Sequence, residues 1–226
     1  NPVIGDRAFG ETPDQVVRHA GAFARGLRAA GIASCGKHFP GHGDTDLDSH
    51  LALPKLPHDL ERLEAVELLP FRQLRHAVDS LMTAHVIFEA LDPARPATLS
   101  AVVVQQLLRE QIGFEGVVFS DDLEMKAVSD HWGVARAACQ ALRAGCDMVL
   151  VCSRLDLLHE CRRAIAEQAR KDSKFERRLT QAAERCLRLR ERFVPRLPGT
   201  DDSETTSLLR LEEARGLERT LADASP

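Results

Sequence analysis

The sequence predicts an α/β fold in which βα units build a parallel sheet. Two observations lead there. Four short apolar runs, "IASCGKHF", "DSLMTAHV", "GVVFSDD" and "CDMVLVCS", alternate with segments of helical periodicity, the pattern of strands buried on both faces. Polar residues collect where these runs end, at Lys37–His38, His85 and Asp121–Asp122. In a (β/α)8 barrel the C-terminal strand ends form the active-site face. A doubly wound sheet binds ligands at the same end, so both architectures fit. No G-x-G-x-x-G or P-loop follows any run, which weakens a nucleotide-binding reading. Four strands make half a barrel. Either a second copy completes it or the other half lies upstream, and the opening "NPVIGDRAFG", with neither an initiator Met nor a signal pattern, favours the upstream half.

Each element has its own signal. Thr12, Pro13 and Gln15 form the start of a helix with a capping box. Val16, Ala20, Phe23, Leu27 and Ala30 recur on one face, and Gly31 stops it. A second helical region spans about 59–78 with a break at Pro70. Ser100 caps "AVVVQQLLREQIG", Asp122 opens "DLEMKAV" as a helix cap, and "GVARAACQALRAG" stops at Gly145. Further helices are expected over 154–171, 174–193 and 203–222, with a linker over 195–203. The domain reading is 1–195 for the barrel portion and 196–226 for linker and tail.

Composition narrows the function. The 226 residues are 44% hydrophobic and 28% charged, the balance of a folded globular chain. A net charge of −4 gives no clustered positive surface for nucleic acid or an anionic membrane. No apolar stretch approaches the roughly 20 residues of a membrane span. Six cysteines without C-x-x-C or zinc-ribbon spacing read as reduced core thiols of a cytoplasmic protein.

The stretch "GKHFPGHGDTDLDSHLALP" is the chemical centre, and three readings compete for it. A metal site is disfavoured: Pro40, Gly41 and Gly43 forbid a helix that would align His38 with His42, and the EF-hand spacing of Asp44, Asp46 and Asp48 fails at Ser49 and Lys55. A solvated turn suits Asp44 and Asp46, with His42 holding the loop by hydrogen bonds. Acid–base chemistry suits Asp48 and His50, because a carboxylate two residues away can fix the tautomer of an imidazole and raise its pKa. Asp121 would be the companion carboxylate.

These residues resemble a known family. "KHFPGHG" followed by "DSH", with "GFEGVVFSDDLEM" downstream and "NPVIGDRAF", "TAHVIFEALDP" and "AGCDMVLVC" around them, is similar to glycoside hydrolase family 3, and within it to the NagZ-type β-N-acetylglucosaminidases of bacterial peptidoglycan recycling. The resemblance covers about residues 1–195, and Glu124 departs from it at a position that is usually small. It implies a TIM-type (β/α)8 barrel, of which this chain holds about the last four units. It implies Asp121 as nucleophile, His50 with Asp48 as the acid/base dyad, and Arg7, Lys37 and His38 as sugar-binding groups. It further implies a glycan or muropeptide substrate, no metal, no cofactor and a cytoplasmic location, with the fragment alone inactive or poorly folded. His85 would line the site as a packing or supporting residue. A β-N-acetylglucosaminide phosphorylase on the same site, a metal-dependent hydrolase and a non-catalytic binding protein are the competing readings. Oligomeric state is not legible.

Overall fold

The computed structural model describes Asn1, residues 4–45 and residues 53–193. Asp46, Asp48 and His50, the expected linker and the expected helix over 203–222 lie outside the described residues. Residues Asn1–Phe193 form one compact unit.

The elements follow in chain order: α1 (Pro13–Ala29), β1 (Cys35–Phe39), β2 (Lys55–Leu56), α2 (Leu60–Arg62), a π-helical turn (Leu63–Glu67), α3 (Leu69–Leu74), β3 (Ser80–Thr83), β4 (Ile87–Phe88), a π-helix (Val102–Gln111), β5 (Val117–Asp122), α4 (Lys126–Trp132), α5 (Val134–Ala144), β6 (Met148–Leu150), α6 (Leu155–Lys171) and α7 (Ser173–Phe193). The main sheet runs β1-β3-β5-β6 with every neighbouring pair parallel. The four expected strands are the four of the main sheet, in chain order across it, as short connections between consecutive βα units favour. A second, two-stranded parallel sheet joins β2 to β4. Two-residue strands carry no readable periodicity, and neither was expected.

The caps explain the helix boundaries. Thr12 accepts the Gln15 N–H, and the Gln15 side chain accepts the Thr12 N–H, both at 3.3 Å, the reciprocal pairing expected of a capping box. The buried face of α1 is turned from the predicted one: Gly21 and Ala24 face inward, whereas Phe23 stands 58% exposed against Phe9. A methyl group on Gly21 would meet Leu74 at 3.0 Å, so α1 approaches α3 through its small residues. Pro70 lies within the first turn of α3, where its missing N–H costs nothing, and the discontinuity falls just ahead of it in the π turn. Ser100 caps as expected, accepting the Val103 N–H at 3.3 Å and donating to Asp92 at 2.7 Å. The helix it starts is π-helical rather than α-helical. Asp122 ends β5 and accepts the Glu124 N–H at 3.1 Å. It therefore closes a turn, and the helix it was expected to cap begins later, at Lys126. All six cysteines are free thiols, but only Cys146 and Cys161 are buried; Cys35 and Cys152 are exposed, so the core-thiol reading fails for these two.

The core lies between the sheet and its helices. Phe39, Leu81 and Val118 from the strands meet Val103, Leu107, Ala137, Ala138 and Ala141 from the helices. The N-terminal side of the sheet is fastened by two buried carboxylates. Asp79 accepts the Ser34 N–H and hydroxyl, each at 3.0 Å, and pairs with Arg28 at 2.7 Å and Arg192 at 3.4 Å. Asp147 accepts the Val118 N–H at 3.0 Å and faces Arg109, Arg178 and Arg185 at 2.5, 2.7 and 3.1 Å. Burial draws Arg109 down to about 10, with Asp147 opposing that shift, so it stays charged at neutral pH. Removing the shared carboxylate would leave buried guanidinium groups unpaired. Asp147→Ala is therefore expected to destabilise the fold by about 3–5 kcal/mol, read as a lowered midpoint in urea unfolding.

Candidate active site

The C-terminal strand ends bring the expected residues together. His38 comes from β1 and Asp121 from β5, two strands away across β3. In a flat sheet those strands would lie roughly 9.6 Å apart. Their side chains instead converge, with His38 Nε2 3.7 Å from Asp121 Oδ2 and each side chain mostly buried. The β1–β3 ladder changes register between Lys37 and Phe39, at His38 itself. The Lys37–His38 and Phe39–Pro40 peptide bonds are both cis.

Electrostatics define the state of His38. Burial pulls its pKa down to about 4; Asp121 pulls it upward, while His42, Lys37 and Arg7 push it further down. His38 is thus neutral at pH 7 and presents one donor and one acceptor nitrogen. Lys37 and Arg7 are both exposed, and both charges are close enough to act on this ring. Arg7 Nε also donates to the Ile4 carbonyl at 3.3 Å. Asp121 Oδ1 accepts the Asp122 N–H at 2.8 Å, which leaves Oδ2 on the His38 side.

Beneath this pair lies a polar network whose extent the sequence reading did not foresee. His85 is fully buried, with Nε2 3.0 Å from the Asp122 carbonyl and Nδ1 2.8 Å from Thr98 Oγ1. A carbonyl only accepts, so Nε2 carries the proton and donates, and Nδ1 is left as the acceptor facing the Thr98 hydroxyl, which also lies 3.1 Å from the Ala84 carbonyl. Thr83 lies 2.8 Å from Thr98 and completes the chain. Burial lowers the His85 pKa against the pull of Asp121 and the Asp122 carbonyl, in keeping with a neutral ring. His85 thereby supports the backbone that presents Asp121, the supporting role expected of it.

The turn after β1 is also held from within. His42 is buried and its Nδ1 lies 2.7 Å from Thr45 Oγ1 and 3.1 Å from Asn1 Nδ2. Its ring stands edge-on to His38 with centroids 5.5 Å apart. Its loop-holding role is as expected. Glu124, the departure noted in the sequence, accepts the Ser153 and Arg154 N–H groups at 2.6 and 3.1 Å, and so ties the turn after Asp121 to the start of α6. Asp48 and His50 lie outside the described residues. Among the described residues, one group has the donor types of a metal site, namely Asp44, His58 and Glu67, and it does not include Asp121.

Two comparisons extend this geometry to known proteins. The chain is 47% identical over 162 residues to the beta-hexosaminidase of Neisseria meningitidis serogroup C, covering 71% of this chain and 45% of the relative. It is 49% identical over 152 residues to the beta-hexosaminidase of Alkalilimnicola ehrlichii, covering 67% and 43%. The chain thus spans about half the length of the curated relatives it matches. Among solved structures, the glycoside hydrolase family 3 beta-N-acetylglucosaminidase from Paenibacillus sp. FPU-7 superposes with a TM-score of 0.84 at 43% identity, over 89% of this chain and 39% of that one. NagZ from Neisseria gonorrhoeae, crystallised with N-trifluoroacetyl-D-glucosamine, superposes with a TM-score of 0.65 at 46% identity, over 71% and 46%.

The two low histidine pKa values have a sign. The folded values lie below the unfolded value of 6.5, so on acidification the unfolded chain takes up protons first and stability falls. Between pH 6.5 and about 4, His38 should contribute a loss of up to about 1.4 kcal/mol per pH unit. Urea midpoints at pH 7 and pH 5 should therefore differ less in His38→Gln than in the parent; equal differences would place the proton uptake elsewhere.

The profile of the glycosyl hydrolase family 3 N terminal domain matches residues 1–189, and with these similarities the chain belongs to glycoside hydrolase family 3.

Proposed function

We propose that this chain carries the catalytic residues of a retaining β-N-acetylhexosaminidase that releases N-acetylglucosamine from β-linked (anhydro)muropeptides in bacterial peptidoglycan recycling. The observation that carries the reading is the convergence of neutral His38 and Asp121, 3.7 Å apart, over strand ends supported by His85.

Asp121 attacks the anomeric carbon as the bond to the leaving oxygen breaks, forming a glycosyl-enzyme. His50, oriented by Asp48, gives its proton to the leaving oxygen. It then takes a proton from water, which attacks the anomeric carbon, frees the sugar and restores the Asp121 carboxylate. The roles of His50 and Asp48 rest on the family pattern "KHFPGHG…DSH". His38, with one donor and one acceptor, suits sugar hydroxyls, and Arg7 and Lys37 add donors on the open side. An N-acetylated sugar is supported by the N-trifluoroacetyl-D-glucosamine bound to the Neisseria gonorrhoeae relative. Neither the formation nor the hydrolysis of the glycosyl-enzyme needs a metal or an organic cofactor. No helix among the described residues is long and apolar enough to cross a membrane, and a cytoplasmic site of action accompanies the recycling substrate.

The test is nitrophenol release from nitrophenyl β-N-acetylglucosaminide, with this chain and with a version extended to the length of its relatives. Activity is expected in the extended protein, surviving EDTA, independent of phosphate, and lowered about 10⁴-fold or more by Asp121→Ala. A rate that requires phosphate would convert the reading to a phosphorylase. Activity that survives Asp121→Ala but is lost with EDTA would replace it with metal-dependent hydrolysis.

A further inference from the structure

We infer that Asp44, His58 and Glu67 form a binding site for a zinc-class divalent cation, separate from the Asp121 cluster. The three residues come from three segments: the turn after β1, the residue that follows β2 by two positions, and the end of the π turn. Their ligating atoms all lie within 4.8 Å of one another, and His58 Nε2 is already 2.8 Å from Asp44 Oδ2. Donors around a tetrahedral zinc ion stand roughly 3.4 Å apart, so closure requires only small side-chain rotations.

The second observation concerns Glu67. Its side chain is 7% exposed, yet its Oε2 is buried and accepts no hydrogen bond. An unpartnered buried carboxylate oxygen is costly, and here it belongs to the carboxylate that shares the cluster with His58 and Asp44. The position is built with care, because a methyl group on Gly41 would lie 2.9 Å from Glu67 Cγ; the glycine of the "PGHG" turn lets Glu67 pack against it. The imidazole ligand favours zinc over magnesium or calcium, which prefer oxygen donors.

Arg62 stands where a cation would compete. Its guanidinium is 3.1 Å from Glu67 Oε1 and 3.6 Å from Asp44 Oδ2, and its side chain is 43% exposed. It neutralises the carboxylates but reaches only one oxygen of Glu67, and its exposed head can swing into solvent when an ion enters. A bound ion would join the turn after β1 to the π turn, with no part in the reaction proposed above.

The test is calorimetric titration of the full chain with zinc chloride alone, in a Cys35→Ser/Cys152→Ser background so that exposed thiols do not bind the metal. One ion per chain is expected. Glu67→Gln and His58→Ala should each weaken it at least about tenfold, and magnesium should not compete. Arg62→Ala should tighten binding, an effect that misfolding would not produce. Cobalt in place of zinc should give the intense visible bands of four-coordinate geometry, lost in His58→Ala. The inference is overturned by no binding in the parent, by affinity unchanged in Glu67→Gln and His58→Ala, or by Arg62→Ala weakening the ion.

Discussion

The structure depends on the register of four parallel strands, and two buried aspartates hold that register. Parallel strands gain less per residue from their slanted hydrogen bonds than antiparallel ones, so their alignment needs anchoring from outside the ladder. Asp79 and Asp147 supply it by accepting backbone N–H groups from Ser34, the residue ahead of β1, and from Val118 in β5. Each is neutralised by arginines that reach in from helices, Arg28 and Arg192 for the first and Arg109, Arg178 and Arg185 for the second. Burial alone would raise the carboxyl pKa of Asp79; the Ser34 N–H and Arg28 outweigh it and hold the group below its usual range.

With one end of the sheet pinned, the other end becomes a reproducible surface for chemistry. Charge is concentrated at the N-terminal side, where it is structural: five arginines share two buried aspartates. At the C-terminal side His38 and His85 are uncharged rings, and Asp121 keeps Oδ2 on the His38 side. A neutral imidazole beside a carboxylate leaves that carboxylate unclaimed by a strong ion pair, which suits the nucleophilic role proposed for Asp121. His85 shows how the burial is made tolerable, since both ring nitrogens have partners and the proton positions are dictated by the Asp122 carbonyl.

Much of this was legible in the residues. Four apolar runs ending in Lys37–His38, His85 and Asp121–Asp122 named the four strands and their polar ends, because period and polarity are local properties. The convergence of His38 with Asp121 across an intervening strand was not legible, since it depends on the pairing of β1 and β5 with β3 and on the register change at His38. The Asp44–His58–Glu67 group escaped for a similar reason: its members look like turn and helix residues one at a time, and only the packing of Glu67 against Gly41 unites them. Glu124 was seen as an oddity, but its function in holding the Ser153–Arg154 amides required the fold. The offset face of α1 shows propensity yielding to packing, with small residues winning the interior and Phe23 left outside.

The proposed mechanism turns on a covalent bond between Asp121 and the sugar. It is tested most directly by incubating the protein, extended to the length of its relatives, with a fluorinated N-acetylglucosaminyl fluoride that forms the intermediate quickly and releases it slowly. The intact mass should rise by one sugar residue, and fragmentation should assign the increment to Asp121 within "GVVFSDDLEM". A mass increment on another residue, or turnover of the probe with no covalent species and with Asp121→Ala fully active, would contradict it.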